Sequence, residues 1–246
     1  MGACASHVGQ ASAPQPLNRM YSWGRSRTCC SDKDTCTTPG QEKKVKNGPL
    51  IDGESIGVCC RRGKRPGTSG HNPNQDAWSV TLTQSGCHRV YGVFDGHGSK
   101  GDHASDMAKV AVMKDIARSC ELDTEDMKPA MVSVFQKVQD AMRWRMWSET
   151  SGTTATVVVH DVMRRKLSVA HVGDSTAVVG RLADKGQKIE AIQLTRDHKP
   201  ELVNERKRIE SKGGRVVRDP LGHCRVCEEG NALMLPGLNM SRSLGD

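Results

Sequence analysis

Apolar residues recur every three or four positions in two stretches of the chain and every second position in several others. Ala104, Met107, Ala108, Ala111, Val112 and Ile116 fall at helical spacing, which predicts a helix of about 16 residues. A second stripe, Met127, Met131, Val134, Val138, Ala141 and Met142, predicts another helix, with Asp123 or Thr124 as its cap. Pro129 is tolerable there because it falls in the first turn, where its missing N–H is not needed. Upstream, residues 56–60 (IGVCC), 77–83 (AWSVTLT) and 89–94 (RVYGVF) read as strands. After Trp147 the period becomes two: residues 154–160, 166–172, 176–182 and 188–194 are β-rich runs separated by DVMRR, GDS and ADKG. Such short separators favour an antiparallel meander over crossover units. Residues 201–212 read as a charged helix stopped by Gly213 and Gly214. Strands in a meander with helices grouped elsewhere predict an α+β fold, two packed antiparallel β-sheets flanked by helices.

Composition narrows the setting. With 246 residues, 36% apolar and 3% aromatic, the chain can hold one sizeable domain whose core is built from Val, Leu, Ile, Ala and Met. No run approaches the roughly 20 apolar residues that span a bilayer, and no basic start followed by an apolar stretch marks a secretory signal. The chain is therefore expected inside the cell, in the cytoplasm, with its ten cysteines as reduced thiols or ligands.

Charge then separates a tail from the domain. Residues 1–70 carry eleven Lys or Arg against five Asp or Glu, most of the net +8. Residues 1–54 mix Ser, Thr, Gly, Pro, Cys and Lys without apolar periodicity and are expected to be a disordered basic tail; residues 55–246 are expected to form the domain. The tail begins MGACAS, with Gly2 and Ser6 where a myristoylation pattern wants them and Cys4 placed for a second acyl chain. A single myristoyl chain binds membrane with K of only about 10⁴ M⁻¹, so Cys4 or the basic residues would supply the second signal. A nucleic-acid partner is not expected, because only Tyr21 and Trp23 could stack on bases.

The chemistry concentrates in VFDGHG, residues 93–98. Asp95 would sit at the end of a strand, with Gly96 leaving bare backbone whose carbonyl a cation can approach, and His97 beside it as a general acid or base. Hard divalent cations want carboxylate, carbonyl and water oxygens. Asp76 opens the preceding strand, so pairing of the two strands would bring Asp76 and Asp95 together, and two such carboxylates repel unless protonated or bridged by metal. Asp174 occupies the turn of HVGDSTAVV, where a simple Asx turn is the alternative.

The ordered blocks NQD (74–76), VFDGHG (93–98), SGTTATVVV (151–159), VAHVGDSTAVV (169–179), LTRDHKP (194–200), ERKRIESKGGRV (205–216) and LNMSRSLGD (238–246) resemble the metal-dependent serine/threonine protein phosphatases of the type-2C class. The resemblance covers roughly residues 56–246. It implies a sandwich of two antiparallel sheets with helices outside, and hydrolysis of phosphoserine and phosphothreonine in protein substrates by a domain acting as a monomer. It further implies two Mg²⁺ or Mn²⁺ ions held by Asp76, Asp95 and the Gly96 carbonyl, a third and weaker ion at Asp174, and His97 as proton donor to the leaving oxygen.

Some positions depart from the pattern. Gln75 stands where some members carry an acid, and His71 where many carry a phosphate-gripping Arg, a role that Lys64 or Arg65 could take. After SRSLGD the family pattern continues with Asp-Gly and Asp-Asn ligands and several strands, so this chain, incomplete at the C-terminus, is expected to be poorly active or inactive alone. The rival expectation is a non-catalytic phosphatase-like scaffold, or a membrane-attached zinc adaptor using His223, Cys224 and Cys227 of HCRVC.

Overall fold

The computed structural model describes residues 56–60, 73–83, 85–121, 126–183, 186, 188–228 and 237–246. Its central strand, β2 (His88–Gly98), pairs along its first part with β1 (Asp76–Leu82). On the other flank β2 pairs with β3 (Ser151–Thr153) and then β4 (Ala155–Asp161) in one uninterrupted register. β5 (Lys166–Val172) continues the sheet from β4, and the short β10 (Leu244–Gly245) closes the far edge against β3. This makes a six-stranded antiparallel sheet. Between β5 and β10 the described residues form two further antiparallel hairpins, β6 (Val178–Ala183) with β7 (Lys188–Gln193), and β8 (Gly214–Arg218) with β9 (Cys224–Glu228).

Strand alternation assigns the two faces of the large sheet. Val90 and Phe94 of β2, Ala77 of β1, and Ala155, Val157 and Val159 of β4 are buried on one face. Two helices cover it: α1 (Gly101–Glu121) through Ala104, Ala108, Val112 and Ile116, and α2 (Lys128–Arg143) through Met131, Val134, Val138 and Met142. Each fully buried Val, Ile or Met contributes about 1.5–3 kcal/mol, so this face is the domain's main apolar anchor. The opposite parity of β2, which carries Val93 and Asp95, keeps solvent access. The predicted α+β arrangement of antiparallel sheets with helices is thus the observed one.

Several local readings change. Residues 56–60 form no strand, and Gly57, Val58 and Cys59 lie exposed, without the burial that would reward pairing. α1 runs 21 residues, longer than its apolar stripe required. α2 starts after Met127, whose side chain makes no cap; the Asp126 carboxylate instead accepts the Lys128 N–H at 2.9 Å. The expected caps Asp123 and Thr124 lie outside the described residues. The meander also breaks after β5: the chain turns at Gly173 (φ 93°), and the Ser175 carbonyl accepts from Thr156 Oγ1 at 2.7 Å instead of joining a ladder. The charged helix, α3 (Val203–Glu210), is shorter than its pattern, and Gly213 (φ 82°) ends the turn that follows it.

Candidate active site

The register of β1 on β2 places Asp76 directly opposite Asp95, with Ala77 opposite Phe94 one step further in. Because Ala77 and Phe94 point into the core, Asp76 and Asp95 share the face away from the helices. A slip of β1 by one residue would turn Asp76 into the core and Ala77 out of it, so the core itself fixes the acid pair. Asp95 does not end its strand, as the sequence reading had it. β2 runs on to Gly98, held by β3, while β1 begins only at Asp76 and Gln75 covers the rest of β2 on that side.

Backbone contacts hold the acid pair from three directions. The Asp95 N–H donates to Thr154 Oγ1 at 2.9 Å, and the Thr154 N–H donates to the Asp95 carbonyl at 2.9 Å. The Gly96 N–H donates to the Gln75 carbonyl at 3.1 Å, and Gln75 Nε2 donates to the Gly98 carbonyl at 2.7 Å. Asn74 Oδ1 accepts the Asp76 N–H at 3.2 Å. Gly96 packs so closely on the Gly101 backbone that a Cβ would also meet the Gln75 carbonyl at 2.6 Å; only glycine fits.

The electrostatics are those of crowded anions. Burial raises the Asp95 carboxyl above its ordinary value, and the charges of Asp76 and Asp174, with a hydrogen bond shared with Asp76, raise it further against the opposing pull of His97. A divalent cation relieves such crowding, and carboxylate oxygens beside a bare glycine backbone suit a hard one. The donor set therefore fits Mg²⁺ or Mn²⁺, although among the described residues no three His, Cys, Asp or Glu side chains cluster as a complete ligand group. Asp174 lies within electrostatic reach of Asp95, but its Oδ2 accepts a 2.5 Å hydrogen bond from Lys199 Nζ, an internal cation on that acid.

His97, next along β2, turns to the C-terminal segment: its Nε2 lies 2.7 Å from Asp246 Oδ2. One strand end thus gathers two facing carboxylates, a glycine cradle and an imidazole. Residues 59–246 match the family model described as protein phosphatase 2C. The chain belongs to the protein phosphatase 2C family. It is 33% identical over 174 residues to the Arabidopsis thaliana protein named "Probable protein phosphatase 2C 22", covering 70% of this chain and 38% of that one. The Oryza sativa subsp. japonica protein named "Probable protein phosphatase 2C 12" is 38% identical over 126 residues, 50% of this chain and 31% of its own length. The chain therefore spans about a third of the length of these curated relatives. Two solved structures share its fold at a TM-score of 0.57. One, described as a C. elegans sex determining protein, is 24% identical over 72% of this chain and 41% of that chain. The other, a serine-threonine phosphatase 2C from Toxoplasma gondii, is 20% identical over 72% of this chain and 64% of that chain.

Residues that the sequence reading left unassigned touch these side chains or their backbone: Thr154, Ser175, Lys199 and Asp246. Thr154 Oγ1 and Ser175 Oγ are hydrogen-bonded at 2.7 Å, which ties the acid-bearing strand to the turn of Asp174. Their only signal lay in the quoted blocks SGTTATVVV, HVGDSTAVV, LTRDHKP and SRSLGD. The HCRVC residues come together differently from a zinc site. His223 Nδ1 faces Asp219 Oδ2 at 3.5 Å, and Cys224 and Cys227, free thiols three apart on β9, point to opposite sides of their hairpin. Gly2 and Cys4, the tail, and Lys64, Arg65 and His71 lie outside the described residues. No described helix is long and apolar enough to cross a membrane.

Proposed function

We propose that this chain is a protein serine/threonine phosphatase module that hydrolyses phosphoserine and phosphothreonine esters by attack of a metal-activated water. The observation that supports it most is the in-register pair Asp76 and Asp95 on the solvent-accessible face of the sheet, within a protein phosphatase 2C domain. Asp76, Asp95 and the Gly96 carbonyl would hold two Mg²⁺ or Mn²⁺ ions, with Asp174 toward a third. When bound, such ions would lower the pKa of a coordinated water so that hydroxide is available near neutral pH. The protein's own part is positional. Thr154 and Gln75 fix the Asp95 and Gly96 backbone, and the Asp76–Asp95 register sets the spacing of the acids. His97 would give its proton to the departing seryl or threonyl oxygen. Phosphorylated proteins are the substrate class, in the cytoplasm. Acylation at Gly2 and Cys4 would bring the chain to a membrane; incorporation of a myristate analogue, lost in Gly2→Ala, tests that.

The deciding assay is phosphate release from a phosphoserine peptide by the whole chain. Turnover should require Mn²⁺ or Mg²⁺, stop on chelation and vanish in Asp95→Asn. A second reading, a phosphatase-like scaffold, is favoured by the Lys199 cation on Asp174 and by the absence of a complete ligand cluster among the described residues. Peptide binding without turnover at saturating metal would select it.

A further inference from the structure

The His97–Asp246 contact joins residues 149 positions apart, and the fold is arranged to make it. β10 lies on β3, pairing Leu244 with Thr153 and Gly245 with Gly152, which brings Asp246 up to the end of β2. Leu244 is fully buried and anchors the segment. Gln139 of α2 clamps Gly245 from both sides: its Oε1 accepts the Gly245 N–H at 2.9 Å, and its Nε2 donates to the Gly245 carbonyl at 3.2 Å. Ser243 Oγ donates to Asp246 Oδ2 at 2.6 Å, the same oxygen that faces His97. Gly152, opposite His97 in the β2–β3 register, provides the room. A Cβ there would collide with Asp246 Oδ2 and meet the Leu244 carbonyl at 2.6 Å.

An ionised carboxylate only accepts hydrogen bonds, so the nitrogen facing Asp246 carries the proton. Among the described residues the other ring nitrogen, His97 Nδ1, has no hydrogen-bond partner, so the Asp246 contact is what holds the ring there. We propose that Asp246 is a positioning residue for His97, fixing its ring orientation beside Asp95 with Nε2 held on the carboxylate. It does for this imidazole what a carboxylate partner does wherever a histidine ring must be held in one orientation. The inference rests on the phosphatase reading only for its kinetic consequence, because the contact is a property of the folded chain.

The test uses the whole chain labelled with ¹⁵N-histidine. In the wild type the His97 Nε2 should show the shift of a protonated nitrogen hydrogen-bonded to a carboxylate. Asp246→Ala should move it away from that value, and the near-isosteric Asp246→Asn, which keeps the volume should Ala disturb packing, should move it too. Unchanged His97 shifts in a folded Asp246 variant would overturn the proposal. Kinetically, Asp246→Ala should lower kcat on a phosphoserine peptide on the order of 10²-fold with KM little changed. An aryl phosphate, whose leaving group needs little protonation, should lose much less. Equal losses on both substrates would count against positioning. A wild-type chain without any turnover would count against the phosphatase reading alone, since the nitrogen shifts still decide where Asp246 acts.

Discussion

Asp95 is worse placed as a carboxylate in the metal-free fold than in water. Its carboxyl is raised by burial first and by Asp76 and Asp174 next. A raised acid costs the native state stability at neutral pH and returns it as the pH falls through the folded value. Removing that charge should therefore help the empty protein and harm the loaded one. Asp95→Asn is expected to raise the Tm of the chelated chain while abolishing the Mn²⁺-induced shift. That shift in the wild type is about 2.7 kcal/mol at a hundredfold excess over Kd. Calorimetry with and without Mn²⁺ checks it, and a variant that loses stability in chelator would refute the crowding argument. The Asp76–Asp95 pair was legible in the sequence because strand alternation and a short hairpin determine which acids can meet. Asp246 was not, because nothing local to LGD says that it will lie on residues 151–153 and reach His97.

The same distinction separates the elements. α1 and α2 were legible because Ala104, Ala108, Val112 and Ile116, or Met131, Val134, Val138 and Met142, bury themselves at helical spacing without help from distant sequence. β2 was under-read because Asp, Gly and His have little strand preference, so the strand was read as ending where DGHG begins. Its extension to Gly98 is decided by pairing with β3, more than fifty residues away. The break after β5 was equally invisible, since the hydroxyls of Thr154 and Thr156 that capture Ser175 belong to another strand. Long-range polar contacts of this kind also hold the C-terminal segment. Arg242 donates from Nε to Glu205 Oε2 at 2.9 Å and from Nη2 to Oε1 at 2.7 Å, and Ser241 Oγ adds 2.7 Å to Oε2. Burial works against the Glu205 charge, yet the hydrogen bonds from Arg242, Ser241 and Arg208 carry its carboxyl down to about 2. Arg242→Ala should leave a buried carboxylate half-satisfied and cost about 3 kcal/mol in urea unfolding. Arg242→Lys, unable to make the two-pronged contact, should recover only part of it.

At the scale of the whole molecule, His198 ties these pieces together. Its backbone N–H donates to the Gly173 carbonyl at 3.0 Å, its Nδ1 accepts the Gly173 N–H at 3.2 Å, and its carbonyl accepts from Ser241 at 2.8 Å. The ring stacks on His171 with centroids 4.5 Å apart. The end of β5, the approach to α3 and the C-terminal segment therefore converge on one residue. Burial, then His171 and Arg242, lower its pKa to about 4, with Glu205 opposing and Arg208 reinforcing. The native state thus favours the neutral ring, which also suits an Nδ1 that accepts a hydrogen bond. Stability from this group is fully present above the ordinary value of 6.5 and is lost as the pH falls toward 4. The shift corresponds to about 3 kcal/mol. Glu205, by contrast, gives up its contribution only between 4.5 and about 2. Urea midpoints followed from pH 7.5 down to 4.5 should therefore fall steeply in the wild type and much less in His198→Asn, because over that window Glu205 stays charged in both. If the two profiles run parallel, protonation of His198 is not what loosens this junction under mild acid.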